Sequence, residues 1–122
     1  MTITDWAHAT DIPTDTLPAT ITGYLVAHRA RDLDTAIDYY TGDSTVTDEG
    51  RTYTGPEAIS DWLASSASEF AYTIEFTGAA RLDECHYDAV HHLEGNFPGG
   101  VVDLHFRFTL SDGKITSLVI EP

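Results

Sequence analysis

The sequence predicts a single α+β domain in which helices pack on one face of an antiparallel sheet. Apolar residues recur at helical spacing in the first half of the chain, and after about residue 68 they alternate with polar residues as in strands. The length of 122 residues suits one domain. Because 42% of the residues are hydrophobic, a core can form without disulfides, and Cys85 is the only cysteine.

The chain is strongly acidic, with 20 Asp and Glu residues against six Lys and Arg residues and a formal net charge of −14. A nucleic acid or an anionic membrane surface would need clustered cations, so we expect neither as a partner. The N-terminus has no basic start followed by an apolar run, and the longest apolar stretches are far shorter than a membrane span. We therefore expect a cytoplasmic protein.

The first predicted elements are an extension and a helix. Residues 1–16 are polar and rich in threonine, and the domain proper is expected at residues 17–122, with Ile3 and Trp6 as side chains that could dock the extension. After Pro18, which suits a first helical turn, the chain places one stripe of residues at helical spacing. The members of this stripe are Ile21, Tyr24, Leu25 and His28.

A second helix is expected over residues 33–40, with Asp32 as its N-cap and Gly42 as its stop. A strand at residues 44–48 and a return strand at residues 51–53 follow it, joined by a short turn.

The third predicted helix begins at Pro56, because proline suits the first helical position and an acidic residue follows in the first turn. Its apolar residues are Ile59, Trp62 and Leu63, which we expect to form its buried face.

Four strands are expected in the second half of the chain. In the first, Phe70, Tyr72, Ile74 and Phe76 alternate with smaller or polar residues. The other three are predicted at residues 85–94, 101–110 and 115–121, with a tight hairpin turn at residues 111–114.

Placing a loop at residues 95–100 sets the pairing of the two strands that flank it. His91 then lies opposite Leu104 on an apolar face, whereas His105 lies on the polar face. The polar face also carries two pairs of opposite charge, His92 with Asp103 and Asp88 with Arg107.

Several motifs resemble the SnoaL-like branch of the nuclear transport factor 2-like superfamily, from about residue 17 to the end of the chain. They are Tyr24, the runs at residues 32–40, 43–48 and 53–59, the Gly-Asn-Phe-Pro-Gly segment at residues 95–99, and the final hairpin at residues 112–120. The resemblance implies a cone-shaped cystatin-like, nuclear transport factor 2-like fold, in which a curved antiparallel sheet wraps N-terminal helices around a pocket. It also implies a homodimer.

Ketosteroid isomerases share this fold, and the resemblance places their oxyanion-binding tyrosine on Tyr24 and their general-base aspartate on Asp48. Their third catalytic group, a protonated aspartate, has no counterpart here. Its place is taken by His105, or by Leu104 or Phe106 if the strand shifts by one residue. SnoaL-type polyketide cyclases use an aspartate on the same strand, which is also missing. His91 is the candidate substitute for this acid.

Aromatic side chains are the candidates for a ligand-binding wall that stacks on a flat compound. They are Tyr39, Tyr40, Tyr53, Trp62, Phe97 and Phe106. Each candidate also has a structural interpretation, since aromatic residues at helical spacing, including Tyr24, commonly form core. Likewise, His91 could be a buried core histidine, and Asp48 could cap a turn.

The resemblance and these residues together predict a protein with a pocket that binds or transforms a hydrophobic compound, cyclic compounds included, by cofactor-free proton transfer. The alternative is a noncatalytic ligand-binding or dimerisation module of the same fold. We expect no metal site, since the adjacent His91 and His92 point to opposite sides of their strand. A homodimer is expected through the sheet face that carries Val90, Val101 and the two charge-matched pairs.

Overall fold

The structure, a computed structural model, describes residues 6–66 and 72–122. Short 3₁₀ turns occur at Trp6–His8 and Thr14–Thr16. The described helices are α1 (Ala19–Arg29), α2 (Leu33–Ile37) and α3 (Pro56–Ser66). The described strands are β1 (Thr10–Ile12), β2 (Tyr40–Asp48), β3 (Arg51–Thr54), β4 (Tyr72–Arg81), β5 (His86–Gly95), β6 (Val101–Ser111) and β7 (Lys114–Glu121).

The strands form one curved sheet in the order β1-β4-β5-β6-β7-β2-β3. Its neighbours are antiparallel with one exception, because β2 runs parallel to β7 and pairs Val46 with Leu118. The sequence predicts a sheet that is antiparallel throughout, and this prediction is wrong for the β2–β7 pair. Most of the chain lies between β2 and β7, so no hairpin sets their relative direction.

The N-terminal segment joins the sheet, since β1 pairs with β4 through Ile12 and Ala79. Trp6 also contacts the body of the protein. Its ring centroid lies 5.4 Å from the guanidinium carbon of Arg107 and 5.9 Å from the ring of His86. Ile3, the other residue expected to dock this segment, lies outside the described residues.

Helix α1 follows Pro18 as predicted and buries Ile21, Tyr24 and Ala27. Leu25 packs at the edge of the core and is partly buried. The predicted stripe is therefore confirmed.

Helix α2 is shorter than predicted. Asp32 caps it by accepting a hydrogen bond from the backbone N–H of Thr35 over 3.3 Å, but the helix ends at Ile37 rather than at Tyr40, and Gly42 lies within β2. The helix ends there because the residues that follow it pair with strand β7. The backbone N–H of Ile115 donates to the carbonyl of Tyr39 over 2.7 Å, and the hydroxyl of Ser44 donates to the carbonyl of Ile115 over 2.6 Å.

The predicted pairing of β5 with β6 is confirmed. His91 lies opposite Leu104, His92 opposite Asp103 and Ala89 opposite Phe106. The loop closes with a backbone hydrogen bond from Gly95 to Gly100 over 3.0 Å. The alternation of side chains along these strands thus separates an inner face, toward the helices, from an outer face.

The core lies between the helices and the inner face of the sheet. Tyr24, Ile59, Phe108 and Leu118 are among its fully buried side chains. Trp62 and Leu63 are buried on α3 as expected. Phe70, predicted in the first strand of the second half, lies outside the described residues. Across the two described ranges, no helix is long and apolar enough to cross a membrane.

Candidate functional site

A cavity of about 860 Å³ opens at one end of the sheet, bordered by α1, α3, the ends of β2 and β7, and the loop between β5 and β6. Its wall is mostly apolar. The apolar residues in it are Trp62, Ile74, Leu93, Phe97, Pro98, Val101, Val102, Leu104, Phe106, Val119, Ile120 and Pro122. Such a lining suits a hydrophobic ligand.

Asp48 is a polar residue of this wall. It is the last residue of β2, where it pairs with Arg51 of β3 and Ile120 of β7, and it is half-buried. Its Oδ2 accepts a hydrogen bond from the indole Nε1 of Trp62 over 3.0 Å. The carboxylate predicted as a general base therefore lies at the cavity, while its catalytic role stays a prediction.

Three of the predicted ligand-binding aromatics line the cavity: Trp62, Phe97 and Phe106. Tyr53 packs against Trp62, with ring centroids 6.3 Å apart, and is not part of the described wall. Tyr40 also lies outside the described wall, because it is buried in the core.

Tyr24 and Tyr40 form a buried pair beneath the cavity wall. The hydroxyl of Tyr40 donates to that of Tyr24 over 2.6 Å, and their rings meet at right angles. Burial raises the pKa of Tyr24 far above its usual value; the hydrogen bond from Tyr40 opposes this shift, and the charge of Asp48 adds to it. Tyr24 is not among the described wall residues, so its predicted contact with an oxyanion stays a prediction.

His91 lies between two aromatic rings of the inner face. Its ring centroid is 5.1 Å from that of Phe76 and 4.5 Å from that of Phe106, and only 2% of its surface is exposed. Burial lowers its pKa to about 4, although the nearby backbone of Ala89 partly opposes this shift. Within residues 6–66 and 72–122, no group accepts or donates a hydrogen bond at its Nδ1, and His91 is absent from the described cavity wall. Its catalytic role also stays a prediction.

His28 of α1 lines the cavity and was not chosen as a site residue from the sequence. Its ring centroid lies 6.0 Å from those of Trp62 and Phe106. Burial lowers its pKa to about 4, so the imidazole is neutral at pH 7. One signal could have identified it: His28 stands four residues after Tyr24, and that spacing places both on one helix face.

The remaining central histidines lie on the outer face of the sheet. Nδ1 of His92 lies 2.6 Å from Asp103, and Nδ1 of His105 lies 2.6 Å from Asp88. Within the described ranges, no three His, Cys, Asp or Glu side chains converge as a metal site requires. His105, one candidate for the missing third acid, thus faces away from the cavity, whereas Leu104 and Phe106 line it.

The charged part of the cavity wall is acidic. Asp48, Glu49 and Glu121 belong to it, and no Lys or Arg is among the described wall residues. Arg107 reaches one of these carboxylates from the outer face, because its Nη1 donates to Oε1 of Glu121. The site therefore presents carboxylates and a neutral imidazole to a bound compound.

No family sequence profile and no curated protein matches this chain. Solved structures do match. A Sinorhizobium meliloti protein, named provisionally as a polyketide cyclase, is 28% identical, with a TM-score of 0.82 over 90% of this chain and 100% of its own. A Catenulispora acidiphila protein with a ketosteroid isomerase-like fold, in complex with trimethylamine, is 22% identical, with a TM-score of 0.74 over 88% and 87% of the two chains.

A Mycobacterium tuberculosis protein in complex with estradiol-17β-hemisuccinate is 14% identical, with a TM-score of 0.69 over 84% of this chain and 88% of its own. Together, these similarities confirm the predicted cone-shaped α+β fold.

Proposed function

Because this chain is a SnoaL-like domain of the nuclear transport factor 2-like superfamily, we propose that it binds a hydrophobic small molecule, cyclic compounds included, and moves a proton on it. The observation that carries the proposal is the cavity of about 860 Å³, which combines an apolar wall with the carboxylate of Asp48. A cavity of this size is in the range that encloses a drug-sized ligand.

The wall supports isomerase-like or cyclase-like chemistry by general acid–base catalysis. Asp48 would remove a proton from a carbon next to a carbonyl group and return it at another position. The N–H of Trp62 donates to Oδ2 of Asp48 and so helps to orient this carboxylate toward the cavity. Such a reaction needs only side chains that hold and move protons.

The similar structures support the binding part of this proposal. The Mycobacterium tuberculosis protein holds a steroid derivative, and the Sinorhizobium meliloti protein is named provisionally for a reaction on cyclising polyketides. The steroid derivative combines an apolar ring system with oxygen-bearing groups, a combination that the apolar wall and its polar residues could accommodate.

A noncatalytic ligand-binding module of the same fold is the second candidate. One observation favours it: Leu104 and Phe106, the inner-face residues at the third catalytic position, are apolar. In that case, the cavity would hold its ligand without transforming it.

Binding can be tested through the fluorescence of Trp62. The chain has two tryptophans, so Trp6→Phe leaves Trp62, in the cavity wall, as the single tryptophan, and excitation at long wavelength selects its emission over that of the tyrosines. We expect a steroid ketone to change this emission with saturation at micromolar concentrations. The matched control is Trp62→Phe, which keeps Trp6 on the outer face and should show no saturable change. No saturable signal from Trp62 with a panel of cyclic ketones would contradict the proposed function.

A further inference from the structure

His28 is the neutral titratable side chain of the cavity wall. It lies on α1, and its ring packs near Trp62 and Phe106. Trp62 in turn donates to Asp48. The indole of Trp62 therefore contacts both the imidazole of His28 and the carboxylate of Asp48.

The imidazole of His28 has no hydrogen-bond partner in the part of the chain that the structure describes. A neutral imidazole carries one N–H donor and one acceptor nitrogen. When a ligand fills the cavity and displaces water, the N–H of His28 loses its hydrogen bond to water. This loss costs free energy unless the ligand accepts a hydrogen bond from His28, so a ligand without an acceptor there binds more weakly.

We propose that His28 donates a hydrogen bond to a carbonyl oxygen of the ligand, and that the site therefore takes apolar ketones or esters rather than hydrocarbons. This inference rests on the proposed function and names the class of compound for the same cavity. A neutral imidazole suits this task, since it polarises a carbonyl without transferring its proton outright. Burial, which lowers the pKa of His28 to about 4, keeps the ring in that neutral form.

His28 would then supply the hydrogen-bond donor to the ligand, a role for which the sequence analysis suggested His91. The contrast between the two is geometric. His91 lies between Phe76 and Phe106 away from the described wall, whereas His28 is part of that wall. In the proposed arrangement, the carbonyl oxygen faces His28 and the adjacent C–H faces Asp48.

Two probes that differ only at the carbonyl test the inference, 2-acetylnaphthalene and 2-ethylnaphthalene, with each Kd measured by calorimetry. His28→Phe should weaken the binding of the ketone about 5-fold and leave that of the hydrocarbon within about 2-fold, since one neutral hydrogen bond is lost. His28→Gln keeps an N–H donor and should retain the wild-type ratio of the two constants. His92→Phe, the same exchange on the outer face, should leave the ratio unchanged.

Infrared spectroscopy gives a second readout. The carbonyl stretch of 2-acetylnaphthalene bound to the wild type should lie below its value in hexane, and His28→Phe should remove this difference. An unshifted stretch in the wild type would overturn the inference even if His28→Phe failed to fold.

If His28→Phe changed the Kd of both probes by the same factor, His28 would contribute to binding only by packing against the ligand. A change of the ratio in His91→Phe alone would assign the donor to His91. Either result overturns the inference and leaves the proposed binding intact. If the wild type bound neither probe nor the steroid ketone, the proposed function would fail, and this inference with it.

Discussion

The indole Nε1 of Trp62 donates to Oδ2 of Asp48 over 3.0 Å and so ties helix α3 to the end of strand β2. The two residues meet in the cavity wall. A hydrogen bond from a buried indole fixes the orientation of a carboxylate, and orientation decides whether a general base can reach its proton. This contact links the packing of α3 to the chemistry proposed for Asp48.

Replacing the proposed base should abolish turnover while preserving binding. We expect Asp48→Asn to lower the rate of proton exchange on a bound enolisable ketone by roughly 100- to 10,000-fold, since general-base catalysis contributes about that factor. Affinity for the ketone should stay within a few-fold, because asparagine keeps the shape and accepts the bond from Trp62. Deuterium incorporation followed by mass spectrometry measures the rate. Undiminished exchange in the variant would show that Asp48 is not the base.

The acidic wall should discriminate against anions. Asp48 and Glu49 line the cavity, so we expect 2-naphthoate to bind roughly 10-fold or more weakly than 2-acetylnaphthalene, which has a similar ring system and no charge. Raising the salt concentration or introducing Glu49→Gln should narrow this difference. Equal affinities at low salt would contradict it. Calorimetry with both compounds provides the measurement.

The buried tyrosine pair should show strong energetic coupling. Tyr24→Phe and Tyr40→Phe each leave one buried hydroxyl without its partner, and each should lower the free energy of unfolding by about 1–3 kcal/mol. The double variant removes both hydroxyls and should cost less than the sum of the single changes. Urea unfolding of the four proteins measures this coupling. Additive costs would show that the hydrogen bond contributes nothing to stability.

His91 should make the protein less stable as the pH falls. Burial lowers its folded pKa to about 4, whereas in the unfolded chain it titrates near 6.5. Between these values only the unfolded chain takes up the proton, so stability falls as the pH drops from about 6.5 to 4, by on the order of 3 kcal/mol, and then levels off.

Urea unfolding at pH 7, 6 and 5 tests this effect. His91→Phe removes the titrating group from an apolar contact, so its stability relative to wild type should increase as the pH falls. His92→Phe is a control in which the pH dependence has the opposite sign. The hydrogen bond with Asp103 raises the pKa of His92, so the stability that His92 contributes to the wild type is lost as the pH rises. A constant difference between His91→Phe and wild type would contradict the prediction.

The outer sheet face should form a homodimer. Val90 lies on it beside the charge-matched pairs, and Val101, which also borders the cavity at the end of the β5–β6 hairpin, is 56% exposed. Light scattering at micromolar concentration should give twice the chain mass, and Val90→Lys should shift it toward the monomer. Val26→Lys provides the control, since Val26 is 70% exposed on helix α1. A monomer mass for the wild type at moderate salt would reject the prediction.

Much of the strand arrangement could be predicted from the sequence. The alternation of apolar and polar residues placed His91 and Leu104 together on the inner face, and the structure has that pair. This worked because side chains alternate along a strand and a short loop joins β5 to β6, so local order alone sets the register. The N-cap at Asp32 was predicted for the same reason, since a cap depends on neighbours within one turn.

The sequence by itself thus determined the order of helices and strands, the β5–β6 register and the position of Asp48 at the end of β2. Only the tertiary structure decided that β2 runs parallel to β7, that α2 stops at Ile37, and that His28 rather than His91 borders the cavity. Each of these depends on contacts between segments far apart in the chain. A cavity is the space that side chains from many elements leave unfilled. The local sequence pattern around a histidine therefore cannot predict whether that histidine will face the cavity.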